Sequence, residues 1–222
     1  MKRIAFYGGS FDPLHCGHLT IARALTEQFE LDRFVFIPAF HAPHKLDKKP
    51  TSPFHRFAML ALATNDEPKI EVSTIELEMP EKPYTFETLT RLKSELSDDE
   101  IFFVMGADSW LDITTWREWE TVLTLTNTIV MTRPDYPISF DHVTDEIRSR
   151  IVDLRGVGRL PTLGEKSENE NPKPKIYISD AVKIDISATE IRESIRRGAD
   201  DWRASVPETV AGYIEKYGLY LK

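Results

Sequence analysis

The stretch 4-IAFYGGSFDPLHCGHLTIARAL-25 places an apolar run, two adjacent glycines, a proline and two histidines ahead of a segment with helical spacing. The lead-in reads as a short buried strand. Beyond Gly17, the residues His18, Ile21, Ala22 and Leu25 fall on one helical face. The junction is therefore a strand-to-helix turn. A helix N-terminus presents unpaired N–H groups and the positive end of a dipole, so such a turn suits a phosphate. Gly8 and Gly9 let backbone approach a ligand without a side chain in the way. Two common phosphate motifs fail here. A P-loop needs Lys followed by Ser or Thr after its last glycine, where this chain has His18-Leu19, and GGSFDP does not satisfy Gly-x-Gly-x-x-Gly. Histidines stand in place of the lysine, His15 just before the helix and His18 in its first turn. With an ordinary pKa near ~6.5, neutral and charged imidazoles are both accessible, and either donates N–H to a phosphoryl oxygen.

The rest of the chain repeats the strand–helix order. Strands are expected at 3–7, 33–38, 69–73, 101–106, 127–134 and 175–179. Helices are expected at 52–64, where Ser52 serves as N-cap and Pro53 as first residue, and at 85–96. ADSWL (107–111) reads as a helix start with Asp108 as a candidate cap. Strands that read as continuous apolar runs between helices predict a doubly wound α/β fold with a parallel sheet covered on both faces. Its strand order does not follow from the pattern. Ligands in such sheets lie beyond the carboxyl ends of the strands. Residues 164–175, GEKSENENPKPK, read as a polar surface loop, and the stretch 139–173 carries no assignment. The organisation expected is one domain with a core to about residue 185 and a small helical C-terminal region at about 186–222. Those last helices are left to pack either on the core or on a second subunit, so a homo-oligomer stays open.

At 222 residues with 41% apolar and 29% charged content, the chain matches an ordinary soluble globular protein. No apolar stretch reaches the ~20 residues that span a bilayer, and MKRIAFYGG meets glycine too soon for a signal peptide. One cysteine, Cys16, fits a reducing compartment, so a cytoplasmic location is expected. A net charge of −8 argues against an indiscriminate nucleic-acid binder. Two small basic islands, HAPHKLDKK (41–49) and IRESIRR (191–197), suit a compact anion. A structural zinc is not expected, since Cys16 has no partner cysteine and Pro43 keeps His41 and His44 off a regular helix.

GGSFDPLHCGH resembles the G-x-F-x-P-x-H-x-G-H signature of the nucleotidyltransferase superfamily, and ISATEIR (186–192) resembles its second signature, I-S-S-T-x-I-R. PHK (43–45), YTFETL (84–89), GADSWLDITTW (106–116) and TRPDY (132–136) are similar to the bacterial nicotinate-nucleotide adenylyltransferase family within it. The resemblance implies a Rossmann-like nucleotidyltransferase fold. It also implies adenylyl transfer from ATP, with Mg²⁺, to nicotinate mononucleotide, giving deamido-NAD and pyrophosphate in NAD biosynthesis. Neither a nucleic acid nor a membrane is an expected partner. The attacking phosphate monoester has a second pKa near ~6 and is mostly dianionic at neutral pH, so no general base is needed. Nicotinamide-mononucleotide and phosphopantetheine adenylyltransferases, or a nucleotide sensor on the same fold, are the competing readings.

By motif position the resemblance implies His15, His18, Lys45 and Arg192 as the catalytic set. Gly8, Gly9, Ser10, Phe11, Asp108, Ile186, Ser187 and Thr189 would hold ATP, with Ser10 and Phe11 laying backbone along the phosphates. Tyr84, Thr85, Gly106, Trp116 and Arg133 would hold the nicotinate nucleotide. Trp116 would stack on the pyridine ring, Thr85 and nearby N–H groups would take the carboxylate, and Arg133 the phosphate. No protein-held metal is implied. Three positions depart from the family pattern: Ala188 stands where Ser is frequent, Asp135 where Gly is common, and Arg117 where an aromatic often sits.

Overall fold

In the computed structural model, described over residues 1–40, 50–79, 83–133, 136–158, 173–182 and 186–221, the glycine–histidine junction lies at the middle of a parallel sheet. Its strands are β1 (Arg3–Gly9), β2 (Arg33–Pro38), β3 (Ile70–Val72), β4 (Glu100–Gly106), β5 (Asn127–Met131), β6 (Ile151–Asp153) and β7 (Ile176–Ser179). The order is β3-β2-β1-β4-β5-β7-β6, and every neighbouring pair is parallel. The chain builds outward from β1 to β3, then returns to β4 on the other flank of β1. Loops after β1 and β4 therefore leave in opposite directions and open a crevice at the carboxyl edge.

The helices are α1 (Cys16–Gln28), α2 (Pro53–Thr64), α3 (Thr85–Glu95), α4 (Ala107–Leu111), α5 (Trp119–Leu125), α6 (Asp145–Arg148), α7 (Ala188–Arg196) and α8 (Glu208–Tyr217). They cover both faces, and the strands alternate between them with period two. Ala5, Phe34, Phe36, Phe102 and Val104 pack toward α1, α2, α7 and α8. Ile4, Phe6, Val35, Ile37, Ile101, Phe103 and Met105 pack toward α3, α4, α5 and α6. The expected strands and helices all form, with no end shifted by more than three residues and β2 matching at both ends. Helices α5 and α6 and the edge strand β6 were not expected. They are short, and β6 offers only three residues of pattern. The unassigned stretch 139–173 is structural where described. The buried indole Nε1 of Trp110 donates to the Ser139 carbonyl at 2.9 Å, and His142 Nε2 lies 2.9 Å from the Trp110 carbonyl. No helix among the described residues is long and apolar enough to cross a membrane.

The C-terminal helices join the core of their own chain. Ile191, Ile195, Val210, Ile214, Leu219 and Tyr220 belong to the same buried cluster as Phe11, Leu14 and Leu19. Tyr220 reaches back to the first loop, its hydroxyl donating to Asp12 Oδ1 at 2.7 Å. The other carboxylate oxygen of Asp12 accepts from the Thr51 N–H at 3.2 Å.

A second tie is Arg56 of α2, which is 1% exposed. Its guanidinium donates to the carbonyls of Thr51 (3.0 Å), Ser10 (2.7 Å), Ala39 (2.6 Å) and Phe40 (3.4 Å). The loop after β1 and the turn after β2 thus hang from one cation. Burial pulls its pKa down, while the negative charges of Asp12 and Glu76 hold the charged form. Arg56→Met is expected to lower stability by about 3–5 kcal/mol, because buried carbonyls and two carboxyl groups lose their partner. Tyr220→Phe, which removes one bond to a carboxylate, is expected to cost about 1.5–3 kcal/mol. Urea unfolding midpoints check both, and an unchanged midpoint for Arg56→Met would show that the guanidinium does not hold these loops.

Candidate active site

His15 is the N-cap of α1, with extended backbone at φ −134° and ψ 167°, and His18 is the third residue of the helix. The two rings stack with centroids 3.7 Å apart. The backbone N–H of His15 donates to His18 Nδ1 at 3.2 Å. An Nδ1 that accepts a hydrogen bond leaves the ring proton of neutral His18 on Nε2, where it is a donor. His15 Nδ1 is buried and makes no hydrogen bond within the described protein.

Both imidazoles are held neutral. Burial, helped by the positive charge of Arg133, lowers the His15 pKa to about 4. Burial, then His15 and Arg133, holds His18 well below the usual histidine range. This corrects the expectation that charged and neutral forms are both accessible: the ligand-free site holds neutral rings, and burial is the main cause. The same facts place Arg133, at the end of β5, in electrostatic reach of the pair. Tyr7 is there too, its hydroxyl pushed up to about 12 by burial and by the Asp108 carboxylate, with Arg133 opposing.

Two glycines owe their identity to neighbours rather than to a ligand alone. A Cβ on Gly9 would come within 2.8 Å of the Phe11 ring, which lies across it. Phe11 has φ 47° and is buried, with its ring edge-on to Tyr7, His18 and Phe36 at centroid distances of 5.4, 5.0 and 5.2 Å. Its side chain is thus the floor beneath His18. A Cβ on Gly106 would sit 2.5 Å from Asp108 Oδ1. Gly106 is the N-cap of α4 and Asp108 lies inside the helix, so the cap reading of Asp108 is wrong. Gly8 meets only Phe103, at an ordinary 3.7 Å.

The distant second motif does arrive at this loop. Arg192 Nη1 donates to the Asp12 carbonyl at 2.6 Å and its Nη2 to Thr189 Oγ1 at 3.1 Å. Ser187 is the N-cap of α7, Ala188 its first residue, and Ile186 packs half-buried on the core. A second group forms between α3 and α5. Tyr84 caps α3, its N–H donating to Glu87 Oε2 at 2.8 Å, and Thr85 begins the helix. The Arg117 guanidinium lies 4.7 Å over the Tyr84 ring and 5.8 Å over Phe86, so this departure from the family pattern is a cation–π contact on the same wall. Trp116 beside it is half-buried against the α3–α5 side of the core, as is Trp119. Lys45, His41, His44 and Asp135 lie outside the described residues.

Sequence reading missed four residues that shape the site: Asp12, Arg56, Glu76 and Tyr220. Arg56 had a usable signal, being the only Asp, Glu, Lys or Arg in PFHRFAMLALAT. Glu76 and Tyr220 had none. Among the described residues, no three His, Cys, Asp or Glu side chains converge as a metal site.

A cytidylyltransferase-like family model matches residues 6–194. A protein of Desulfitobacterium hafniense (strain Y51) named "Probable nicotinate-nucleotide adenylyltransferase" is 35% identical over 220 residues, covering 99% of this chain and 96% of its own. A Desulfatibacillum aliphaticivorans protein of the same name is 37% identical, covering 99% and 100%. Among solved structures, Plasmodium falciparum nicotinic acid mononucleotide adenylyltransferase complexed with NaAD superposes with a TM-score of 0.75 at 22% identity, covering 99% of this chain and 98% of that one. The two share a fold.

The neutral histidine pair sets a pH dependence. The folded state binds fewer protons at these rings than the unfolded chain, so their stabilisation is complete above about pH 6.5. It is lost as pH falls toward about 4, the folded value for His15. NMR of the imidazole nitrogens should show His15 neutral at pH 6. Arg133→Ala should raise both histidine pKa values. A His15 midpoint near 6.5 in the ligand-free protein would contradict the assignment.

Proposed function

The chain belongs to the nicotinate-nucleotide adenylyltransferase family, and we propose that it joins ATP and nicotinate mononucleotide to give deamido-NAD and pyrophosphate. The observation that carries this reading is the stacked histidine pair at the start of α1, with the His18 proton fixed on Nε2 by the His15 N–H. A phosphate oxygen of nicotinate mononucleotide attacks the α-phosphorus of ATP. The bond from that phosphorus to the bridging oxygen breaks, and the electron pair leaves on pyrophosphate. Because the nucleophile is already anionic, the protein's task is alignment and charge stabilisation.

His18 donates Nε2–H to the α-phosphate and His15 serves the phosphates beside it. The arriving anions raise the pKa of each ring and favour its protonation, and a protonated ring donates a stronger, charge-assisted hydrogen bond as charge moves to the leaving group. The backbone of Gly8, Gly9, Ser10 and Phe11 lines the phosphates. Arg192, held against the Asp12 carbonyl, and Lys45 are the cations assigned to the leaving-group oxygens, with Ser187 and Thr189 donating at the start of α7. Ile186 borders this side and Asp108 takes a ribose hydroxyl. Mg²⁺ enters as part of the MgATP substrate. On the acceptor side, Arg133 meets the mononucleotide phosphate. Trp116 stacks on the pyridine ring, and the α3 N-terminus with Tyr84 and Thr85 takes the nicotinate carboxylate while Gly106 keeps the approach open.

Pyrophosphate release from MgATP, measured in parallel with nicotinate mononucleotide, nicotinamide mononucleotide and phosphopantetheine, tests the reading. Release is expected to be fastest with the first, and none with any acceptor would favour a nucleotide sensor. His18→Ala is expected to lower kcat by about 10²–10³-fold, the usual cost of losing a transition-state donor. ATP affinity should change little. Trp116→Ala should act chiefly on the KM of the pyridine nucleotide.

A further inference from the structure

Glu76 follows β3 in STIELEMP, where its neighbours in sequence gave no reason to look at it. Its carboxylate is drawn inside, toward three elements. Oε1 accepts from Thr88 Oγ1 of α3 at 3.2 Å. Oε2 accepts from the Phe40 N–H, just past β2, at 3.4 Å. Its negative charge also acts on Arg56, whose own Nη1 holds the Ser10 carbonyl at 2.7 Å. The Phe40 peptide is therefore gripped from both directions, by Glu76 at its N–H and by Arg56 at its carbonyl. Thr88 is buried and sits one turn after Thr85, so any shift of the α3 N-terminus is felt at this carboxylate.

We propose that Glu76 is a positioning residue that couples the acceptor side of the site, at the start of α3, to the phosphate loop at Ser10 through Arg56. The proposal rests on the reading above, in which α3 meets the nicotinate nucleotide and Ser10 meets ATP. Binding one substrate then stiffens the clamp on Phe40, in which Glu76 takes the N–H and Arg56 the carbonyl, and that clamp sets the place of the other. Burial raises the Glu76 pKa, while the Thr88 hydroxyl, the Phe40 N–H and Arg56 favour its charged form. The carboxylate is held by Thr88 and Phe40 rather than by solvent alone. Because coupling is reciprocal, ATP should tighten acceptor binding by the same factor as the acceptor tightens ATP binding.

The test is the Kd of a non-transferable α,β-methylene analogue of ATP, measured calorimetrically with and without saturating nicotinate mononucleotide. The wild-type ratio is expected to be at least about 5-fold, the lower end of common coupling factors. Thr88→Val removes only the α3 arm of the link and should bring the ratio close to one. Glu76→Ala should do the same. Glu76→Gln should restore most of it, since the amide oxygen accepts from Phe40 and the amide nitrogen donates to Thr88. A purely structural role would lower the thermal midpoint of Thr88→Val and leave the ratio at its wild-type value, which would overturn the proposal. A wild-type ratio of one would also overturn it. Failure of the wild-type protein to bind either ligand would instead remove the functional reading on which it rests. Thr88→Val carries the test even if Glu76→Ala does not fold.

Discussion

A guanidinium with almost no solvent contact must find its partners inside the protein, and Arg56 finds them where the site is built. Four carbonyls from three chain segments converge on it, and the charges of Asp12 and Glu76 favour its charged form from farther off. An isolated buried charge is far too costly to persist, so the loops that satisfy Arg56 have little freedom to move independently. Asp12 then extends this constraint. Its carboxylate holds Thr51 and Tyr220, and its carbonyl holds Arg192. The loop after β1 is thus fixed by polar ties to α2, to the turn before it, to α7 and to the last residues of the chain.

This arrangement explains how a site for anions rests without charged imidazoles. The histidines are buried on an aromatic floor made by Phe11 and Tyr7, and Arg133 adds a positive field that discourages their protonation. In catalysis of phosphoryl-type transfer, donors that are already in place spend no energy reorganising when charge appears. The His15 N–H that fixes the His18 tautomer belongs to the same helix cap that orients both rings. Local helix geometry and proton placement are one feature.

What could be read from sequence was what lies close together in it. The junction around His15 and His18 declares a strand, a turn and a helix within 22 residues. Apolar runs announced six of the strands, and family resemblance supplied Arg192, whose partner lies 180 residues away. Glu76 could not be read because an acidic residue in a loop looks solvated until the fold brings Thr88 and Phe40 to it. The pKa direction of the histidines was likewise hidden, since it depends on burial and on Arg133, which lies just past β5. Gly9 stands out for a general reason, open backbone, and Gly106 through its place in a family motif; the fold adds the Phe11 ring against the one and the Asp108 carboxylate against the other.

The bond between Tyr220 and Asp12 joins residues 208 positions apart. Closing so long a loop early is entropically unfavourable, and the sheet must first bring the two ends within reach. The loop after β1 therefore depends for one of its anchors on the far end of the chain. Its position is a property of the whole topology rather than of the segment that carries the motif.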